Sequence, residues 1–251
     1  MDHINLQLRE IYNKYWPGLI EAAAPLNAST IKPSDPLLLS INEEAYKQSN
    51  LKIMYCGQET FGWGDPSDDK PVLGKKSVDE VISTYDKYFT QGHYKRNEEG
   101  KRVFWRAVKK FNKALLTAFP GQNIYPIWNN ISKIGKASGK GMNTKIRELE
   151  REFFPVFQEE LAVLKPDLII FMTGPYRDGD IEFNLQKAVF SEVSGGIKER
   201  ALARVKSDSF RKPALRLYHP AYFGGFHRVF DAAKDEMVAM LTDSAAVPAS
   251  N

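Results

Sequence analysis

His219 is the residue of this sequence best placed for chemistry, because it follows an apolar run directly and a proline follows it. The run Ala214–Leu217 predicts a buried strand, and Pro220 keeps that strand from continuing. A neutral imidazole at the end of a strand can stabilise negative charge that develops on a substrate oxygen. His219 is therefore a candidate catalytic residue, and the aromatic and glycine-rich segment 222–226 is a candidate loop for contact with a groove.

A second candidate is Glu59, which lies in a glycine-rich segment directly after another apolar run, residues 51–56. Glycines let backbone N–H groups approach a ligand closely, and a carboxylate can orient or deprotonate a water molecule. Phe61 and Trp63 could stack on a planar base. The alternative is a glycine turn whose aromatic side chains pack in the core.

Two further apolar runs end at residues with suitable chemistry or shape. Asn130 follows the run 123–128, and an amide can read the hydrogen-bonding edge of a nucleobase, although asparagine is also a common helix cap. Gly174 follows the run 168–173 and favours a turn. Because ligands bind beyond the carboxyl ends of parallel strands, these four strand ends predict one convergent site.

The elements around these residues alternate between strands and helices. Helices are predicted over 77–91, 103–119, 143–164 and 226–241, and short strands or hairpins are possible around 181–183 and 201–206. This alternation predicts an α/β protein, with three α/β/α layers and a central, mostly parallel, four-stranded sheet. Residues 1–50 are expected to be a helical N-terminal extension, 51–242 the α/β/α domain, and 243–251 a loose tail.

Composition excludes several classes of protein. The chain has 251 residues and a net charge of +4, which permits a polyanionic partner without requiring one. Its single cysteine, Cys56, rules out an internal disulfide and an all-cysteine metal or iron–sulfur site. Neither a long apolar run nor a secretory leader is present in the sequence, so we expect a cytoplasmic protein that does not insert into membranes.

Together these segments resemble the uracil-DNA glycosylase superfamily. Gly57-Gln58-Glu59-Thr60-Phe61 is similar to its first motif, and His219-Pro220-Ala221-Tyr222 is similar to its second. The stretch Asn123–Lys133 resembles the strand that ends in the base-reading asparagine, and Leu164–Ile170 resembles the third strand. The order of the motifs agrees over about residues 50–240. Glu59 and Thr60 depart from the classical first motif, so the resemblance is to a divergent member outside the iron–sulfur branch.

The resemblance implies excision of uracil or a related damaged base that has been flipped out of DNA. Glu59 would position the attacking water, and His219 would stabilise charge on the leaving base. No metal or organic cofactor is implied, DNA is the expected partner, and a monomer is favoured. The implied base-binding residues are Gly57, Gln58, Phe61, Trp63 and Asn130, and the implied DNA-binding residues are Lys133, Lys136, Lys140, Tyr222, Gly224 and Gly225.

Two alternatives stay open. A non-catalytic protein of the same fold could bind nucleic acid or a nucleobase through Asn130 and the basic loops, without using Glu59. An unrelated α/β hydrolase or transferase could use His219 and Glu59 as an acid–base pair on small molecules. Salt-sensitive DNA binding would separate the small-molecule enzyme from the other two, because phosphate contacts release counterions.

Overall fold

The computed structural model describes residues 3–60, 63, 72–95, 102–139, 141–193, 195–223 and 225–246. Over these residues the chain forms an α/β fold, as the alternation of elements predicts. Its helices are α1 (Ile4–Asn27), α2 (Glu43–Gln48), α3 (Val78–Tyr85), α4 (Val103–Ala118), α5 (Thr144–Phe153), α6 (Phe157–Leu164), α7 (Asp178–Asn184) and α8 (Phe226–Ala246). Its strands are β1 (Leu51–Gly57), β2 (Ile124–Asn130), β3 (Leu168–Phe171), β4 (Val189–Glu192), β5 (Leu202–Lys206) and β6 (Ala214–Leu217).

The sheet corrects the prediction of four mostly parallel strands. The described residues form a six-stranded mixed sheet in the order β2-β1-β3-β6-β5-β4. The pairs β1–β3 and β3–β6 are parallel, whereas β6–β5 and β5–β4 are antiparallel. The four strands expected from apolar runs are all present, and β4 and β5 extend the sheet beyond β6. Residues 181–183, a possible strand, lie instead in α7.

The helix predicted over 143–164 is two helices, α5 and α6, separated by residues 154–156. Pro155 lies in this break, and a proline has no N–H to donate and clashes with the preceding turn of a helix. At the start of α5, the Asn143 side chain caps the helix by accepting a hydrogen bond from the N–H of Lys145 at 2.9 Å.

The chain divides into two compact units, each assembled from three separate stretches of sequence. The first unit comprises Met1–Glu43, Gln58–Arg96 and Asn129–Leu164, and in it α1 packs against α3, α5 and α6. The second unit comprises Glu44–Gly57, Asn97–Trp128 and Lys165–Asn251. In the second unit α8 packs against both α4 and β6, and apolar side chains of α8 such as Phe226 and Met237 are buried.

A fully buried charged side chain lies on β6 in the second unit. Arg216, on β6, is fully buried, and its Nε and Nη2 donate to the two carboxylate oxygens of Asp178 at 2.9 and 3.0 Å. Its Nη1 donates to the backbone oxygens of Glu199 and Arg200 at 3.0 and 2.9 Å. Because a buried charge needs both a counter-charge and hydrogen bonds, this set of partners explains how the sheet accommodates a guanidinium.

Candidate functional site

In the second unit, the parallel strands β1, β3 and β6 end at the same edge of the sheet. The ends of β3 and β6 lie side by side, since the N–H of Gly174 donates to the backbone oxygen of Leu217 at 2.9 Å. Gly174 adopts a φ of +73°, which glycine tolerates better than other residues. A Cβ at this position would lie 3.7 Å from the ring of Tyr218, so the turn passes close to the segment that leads to His219.

His219 is half-buried, and burial lowers its pKa below the ordinary value. Its Nδ1 accepts a hydrogen bond from the backbone N–H of Ala221 at 3.1 Å. The ring of Phe104 stacks beside it, with 6.4 Å between ring centroids and 23° between planes. A neutral imidazole whose Nδ1 accepts a hydrogen bond carries its proton on Nε2. The geometry therefore fixes His219 as a hydrogen-bond donor through Nε2.

The loop after His219 turns tightly and presents aromatic rings. The N–H of Tyr222 donates to the backbone oxygen of His219 at 2.8 Å, and the rings of Tyr218 and Tyr222 stack with 4.4 Å between centroids. Gly225 makes room for that stack, because a Cβ there would lie 2.3 Å from Tyr222 and 2.7 Å from Tyr218. Phe223 is fully exposed at the tip. Gly224, a predicted DNA-binding residue, lies outside the described residues.

In the first unit, the segment that carries Glu59 is held against the loop after β2. The N–H of Ser132 donates to the backbone oxygen of Gln58 at 2.9 Å. Gly135 lies against Thr60 so closely that an added Cβ would stand 1.9 Å from the Thr60 backbone oxygen. Glu59 is half-buried between these two contacts. Gln58 and Glu59, two of the predicted site residues, therefore lie on a backbone that is fixed at both sides.

A buried polar network fixes the loop after β2. Glu160 is fully buried and accepts hydrogen bonds from the Tyr12 hydroxyl at 2.8 Å, from Asn129 Nδ2 at 3.0 Å and from Lys133 Nζ at 2.7 Å. Glu150 accepts from the backbone N–H groups of Lys133 and Ile134 at 2.8 and 2.9 Å. Burial first, and then the charge of Glu160, raise the pKa of Tyr12, so its hydroxyl stays protonated and donates. We call these residues (Tyr12, Asn129, Lys133, Glu150 and Glu160) the Glu160 network.

Asn130, the predicted base reader, is buried beside this network. In the amide orientation that satisfies both of its atoms, Oδ1 accepts from the N–H of Thr60 at 3.2 Å and Nδ2 donates to the backbone oxygen of Asn129 at 3.0 Å. Its own N–H donates to Asn129 Oδ1 at 2.8 Å. The Asn130 side chain thus joins the segment of Glu59 to the end of β2.

The predicted DNA-contacting lysines differ from one another in the structure. Lys133 is only 1% exposed, and its Nζ also donates to Asn129 Oδ1 at 2.6 Å, so it serves an internal ion pair and presents no charge to solvent. Lys136 is half-buried and pairs through its backbone with Pro33. Lys140 lies outside the described residues.

The two predicted stacking aromatics also differ. Trp63 is buried, and its ring meets that of Tyr88 edge-on, with 5.5 Å between centroids. Trp63 therefore packs inside the first unit rather than presenting a face to solvent. Phe61 lies outside the described residues.

Sequence reasoning missed Glu160, the centre of the buried network. A signal for it exists, because Phe157, Leu161 and Leu164 share a helical face with Glu160, and an acid on an apolar face predicts a buried partner. For Phe104, which stacks on His219, the sequence offers no comparable signal. It lies in the first turn of α4, 115 residues before the histidine in the sequence of 251.

The chain matches no protein-family model, and no curated protein matches its sequence. Within the described part of the chain, the structure has no helix that is both long and apolar enough to cross a bilayer. Over the same residues, no group of three or more His, Cys, Asp or Glu side chains is arranged to hold a metal ion.

Proposed function

We propose that this protein is a DNA glycosylase of the uracil-DNA glycosylase type, with the three-layer α/β/α architecture of that superfamily. It would hydrolyse the N-glycosidic bond of uracil, or of a related damaged base, after the nucleotide has been flipped out of the strand. The observation that carries the proposal is the state of His219: a half-buried, neutral imidazole at the end of β6 whose Nε2 is fixed as a donor.

The proposed chemistry needs such a donor. When the bond between C1′ and N1 breaks, the electron pair leaves with the base and negative charge develops on its carbonyl oxygens. A preorganised donor aimed at such an oxygen stabilises the transition state, and loss of a single one costs about a hundredfold or more in rate. A water molecule then forms the new bond to C1′ and gives up a proton, which finally neutralises the base anion, so that the products are an abasic sugar and the free base.

In the proposed reaction, the carboxylate of Glu59 orients the attacking water molecule. A carboxylate two residues beyond β1 has the right chemistry for accepting a hydrogen bond from the attacking water. The backbone around Glu59 is held on both sides, because the backbone oxygen of Gln58 accepts a hydrogen bond from the N–H of Ser132 at 2.9 Å and Thr60 lies against Gly135. Lys136 and Lys140 remain the proposed phosphate contacts, and Lys133 is left out because its ammonium is buried in an ion pair.

A second candidate function is favoured by one observation. Both amide atoms of Asn130 have backbone partners, so the side chain is occupied with holding two segments together. With the amide occupied, a protein of the same fold would bind nucleic acid through its basic loops, and not through Asn130 as the sequence indicated, and would not cleave it. Catalytic turnover separates this candidate from the glycosylase.

The test is release of base from a labelled uracil-containing oligonucleotide, offered as a single strand and as a duplex. Wild type should release uracil, and His219→Ala should be slower by about a hundredfold, the size expected for loss of a transition-state donor. Glu59→Gln should be slower with little change in DNA binding. Absence of release by folded wild-type protein from both substrates would overturn uracil excision and leave the binding protein, or excision of another damaged base, as the candidates.

A further inference from the structure

Beside the end of β3, an exposed tyrosine and an arginine form a pair in the second unit. Tyr176 follows Gly174 and Pro175 and is 79% exposed. Nη2 of Arg200 donates to its hydroxyl at 2.9 Å, and the guanidinium carbon lies 5.1 Å from the ring centroid. A guanidinium in this position holds the ring in place while leaving most of the ring open to solvent.

The pair continues into the loop after His219. The charge interaction with Tyr176 first, and then the side chain of Tyr218, raises the pKa of Arg200, so Tyr218 lies near the same guanidinium. Tyr218 stacks on Tyr222, and Tyr222 is 52% exposed. We call this set (Tyr176, Arg200, Tyr218 and Tyr222) the aromatic row; it runs from the end of β3 to the end of β6.

A single buried residue anchors both halves of the Tyr176–Arg200 pair. Nη1 of Arg216 bonds the backbone oxygen of Arg200 at 2.9 Å. The same guanidinium binds the carboxylate of Asp178, two residues after Tyr176, at 2.9 and 3.0 Å. The row is therefore built on a rigid base, which lowers the entropic cost of ordering it when a ligand binds.

The chemistry of the row selects its ligand. Open aromatic faces stack on nucleobases whatever their sequence, and a guanidinium among them suits a backbone phosphate. Base pairs in a duplex already stack on their neighbours and offer no free face, whereas unpaired bases do. We propose that the aromatic row binds unpaired nucleotides, so that the substrate class of this protein is single-stranded DNA. The identity of the nucleic acid rests on the proposed function, since His219 follows Tyr218 directly.

The experiment measures binding of the full-length protein to two labelled, uracil-free DNAs by fluorescence anisotropy at one salt concentration. One is a single-stranded oligothymidine and the other a hairpin duplex. Tyr176→Ala should weaken single-strand binding by about tenfold, which lies within the range expected for loss of one base stacked on an aromatic side chain. Arg200→Gln should weaken it similarly.

Two further variants keep the result interpretable. Tyr176→Phe retains the ring and should stay close to wild type. Arg211 is exposed and precedes β6, so it lies at the opposite end of that strand from the aromatic row. Arg211→Gln removes a charge there and should change single-strand binding much less than Arg200→Gln does. Circular dichroism of each variant establishes that it is folded.

The outcomes separate this inference from the proposed function. Weaker single-strand binding in Tyr176→Ala and Arg200→Gln supports binding of unpaired nucleotides by the aromatic row. This conclusion holds whether or not wild type releases uracil in the separate release assay. Unchanged single-strand binding in both variants overturns the row, and uracil release by wild type would then still support the glycosylase. Preference of wild type for the duplex, or binding to neither DNA, also overturns the row.

Discussion

The backbone N–H of Ala221 donates a hydrogen bond to Nδ1 of His219 at 3.1 Å. This contact is local, because Pro220 between the two residues turns the chain back on the imidazole. Together with the burial that lowers the His219 pKa, it defines one tautomer with the proton on Nε2. A fixed donor at the end of a buried strand is the arrangement on which the proposed chemistry depends.

The first prediction concerns pH. Because burial lowers the pKa of His219 below 6.5, the neutral imidazole should predominate at pH 7. The rate of base release should then be level above pH 6.5 and fall as the pH is lowered through the depressed pKa. A single-turnover pH profile checks this. A rate that instead falls as the pH rises through 6.5 would indicate an imidazolium donor and contradict the assignment.

The same group has a consequence for stability. The pKa of His219 is lower in the folded protein than the value of 6.5 expected in the unfolded chain. Between these two pKa values the unfolded chain binds more protons, so the free energy of unfolding should decrease as the pH falls from 6.5 to the folded-state pKa. Above pH 6.5 the contribution is constant. Circular dichroism at each pH therefore accompanies the rate profile, so that unfolding is not mistaken for a catalytic effect.

The second prediction concerns the Glu160 network. Lys133→Met removes the only ammonium bonded to Glu160 among the described residues and leaves a carboxylate that is fully buried. Breaking one side of a buried ion pair costs about 3–5 kcal/mol in the free energy of unfolding. Urea denaturation measures this loss.

An exposed pair in the same unit is the matched control. Lys14 Nζ lies 3.0 Å from Glu159, and both side chains reach solvent, so Lys14→Met should change the urea midpoint little. Equal midpoints for the Lys133 and Lys14 variants would show that the buried network does not stabilise the loop after β2.

The third prediction concerns the glycine beside Thr60. Gly135→Ala places a methyl group 1.9 Å from the Thr60 backbone oxygen, so the segment of Glu59 must shift. We expect lower stability and slower base release together. Gly179→Ala is the control, because its added Cβ has no atom within 4 Å and alanine favours the helix α7. Similar thermal midpoints for the two variants would contradict the close packing.

The fourth prediction concerns the anchor of the aromatic row. Asp178→Asn keeps the shape of the side chain but leaves the buried guanidinium of Arg216 without its counter-charge. We expect the free energy of unfolding to fall by about 3 kcal/mol or more. Asp231→Asn, at a position whose side chain is 86% exposed, should have little effect. A stability of Asp178→Asn equal to that of wild type would show that the anchor is dispensable.

How far the sequence predicts this structure depends on the element. The runs that form β1, β3 and β6 were recognisable because most of their residues are apolar, as expected for strands covered on both faces, although β1 carries Lys52 and β6 carries Arg216. β4 is short and polar, and Val189 on this edge strand is 63% exposed, so no clear period marks it. β5 lies in the stretch 201–206, which the sequence indicated only as a possible strand or hairpin.

The candidate site was predictable where its chemistry is local. His219, Pro220 and the aromatic loop are contiguous, so their pattern could be read directly. The burial of Lys133 was not predictable in that way, because its partner Glu160 comes 27 positions later, on a different helix. A lysine in a loop is expected to have its ammonium in solvent, and only knowledge of a distant acidic partner would indicate that it is buried.

Base excision by this protein is best tested by mass-spectrometric detection of free uracil released from a single-stranded oligonucleotide with one uracil. Wild type should release uracil, and His227→Ala, at an exposed position, should release it near the wild-type rate. His219→Ala should be slower by about a hundredfold. Absence of free uracil from folded wild-type protein, or equal release by the His219 and His227 variants, would rule out uracil excision by His219.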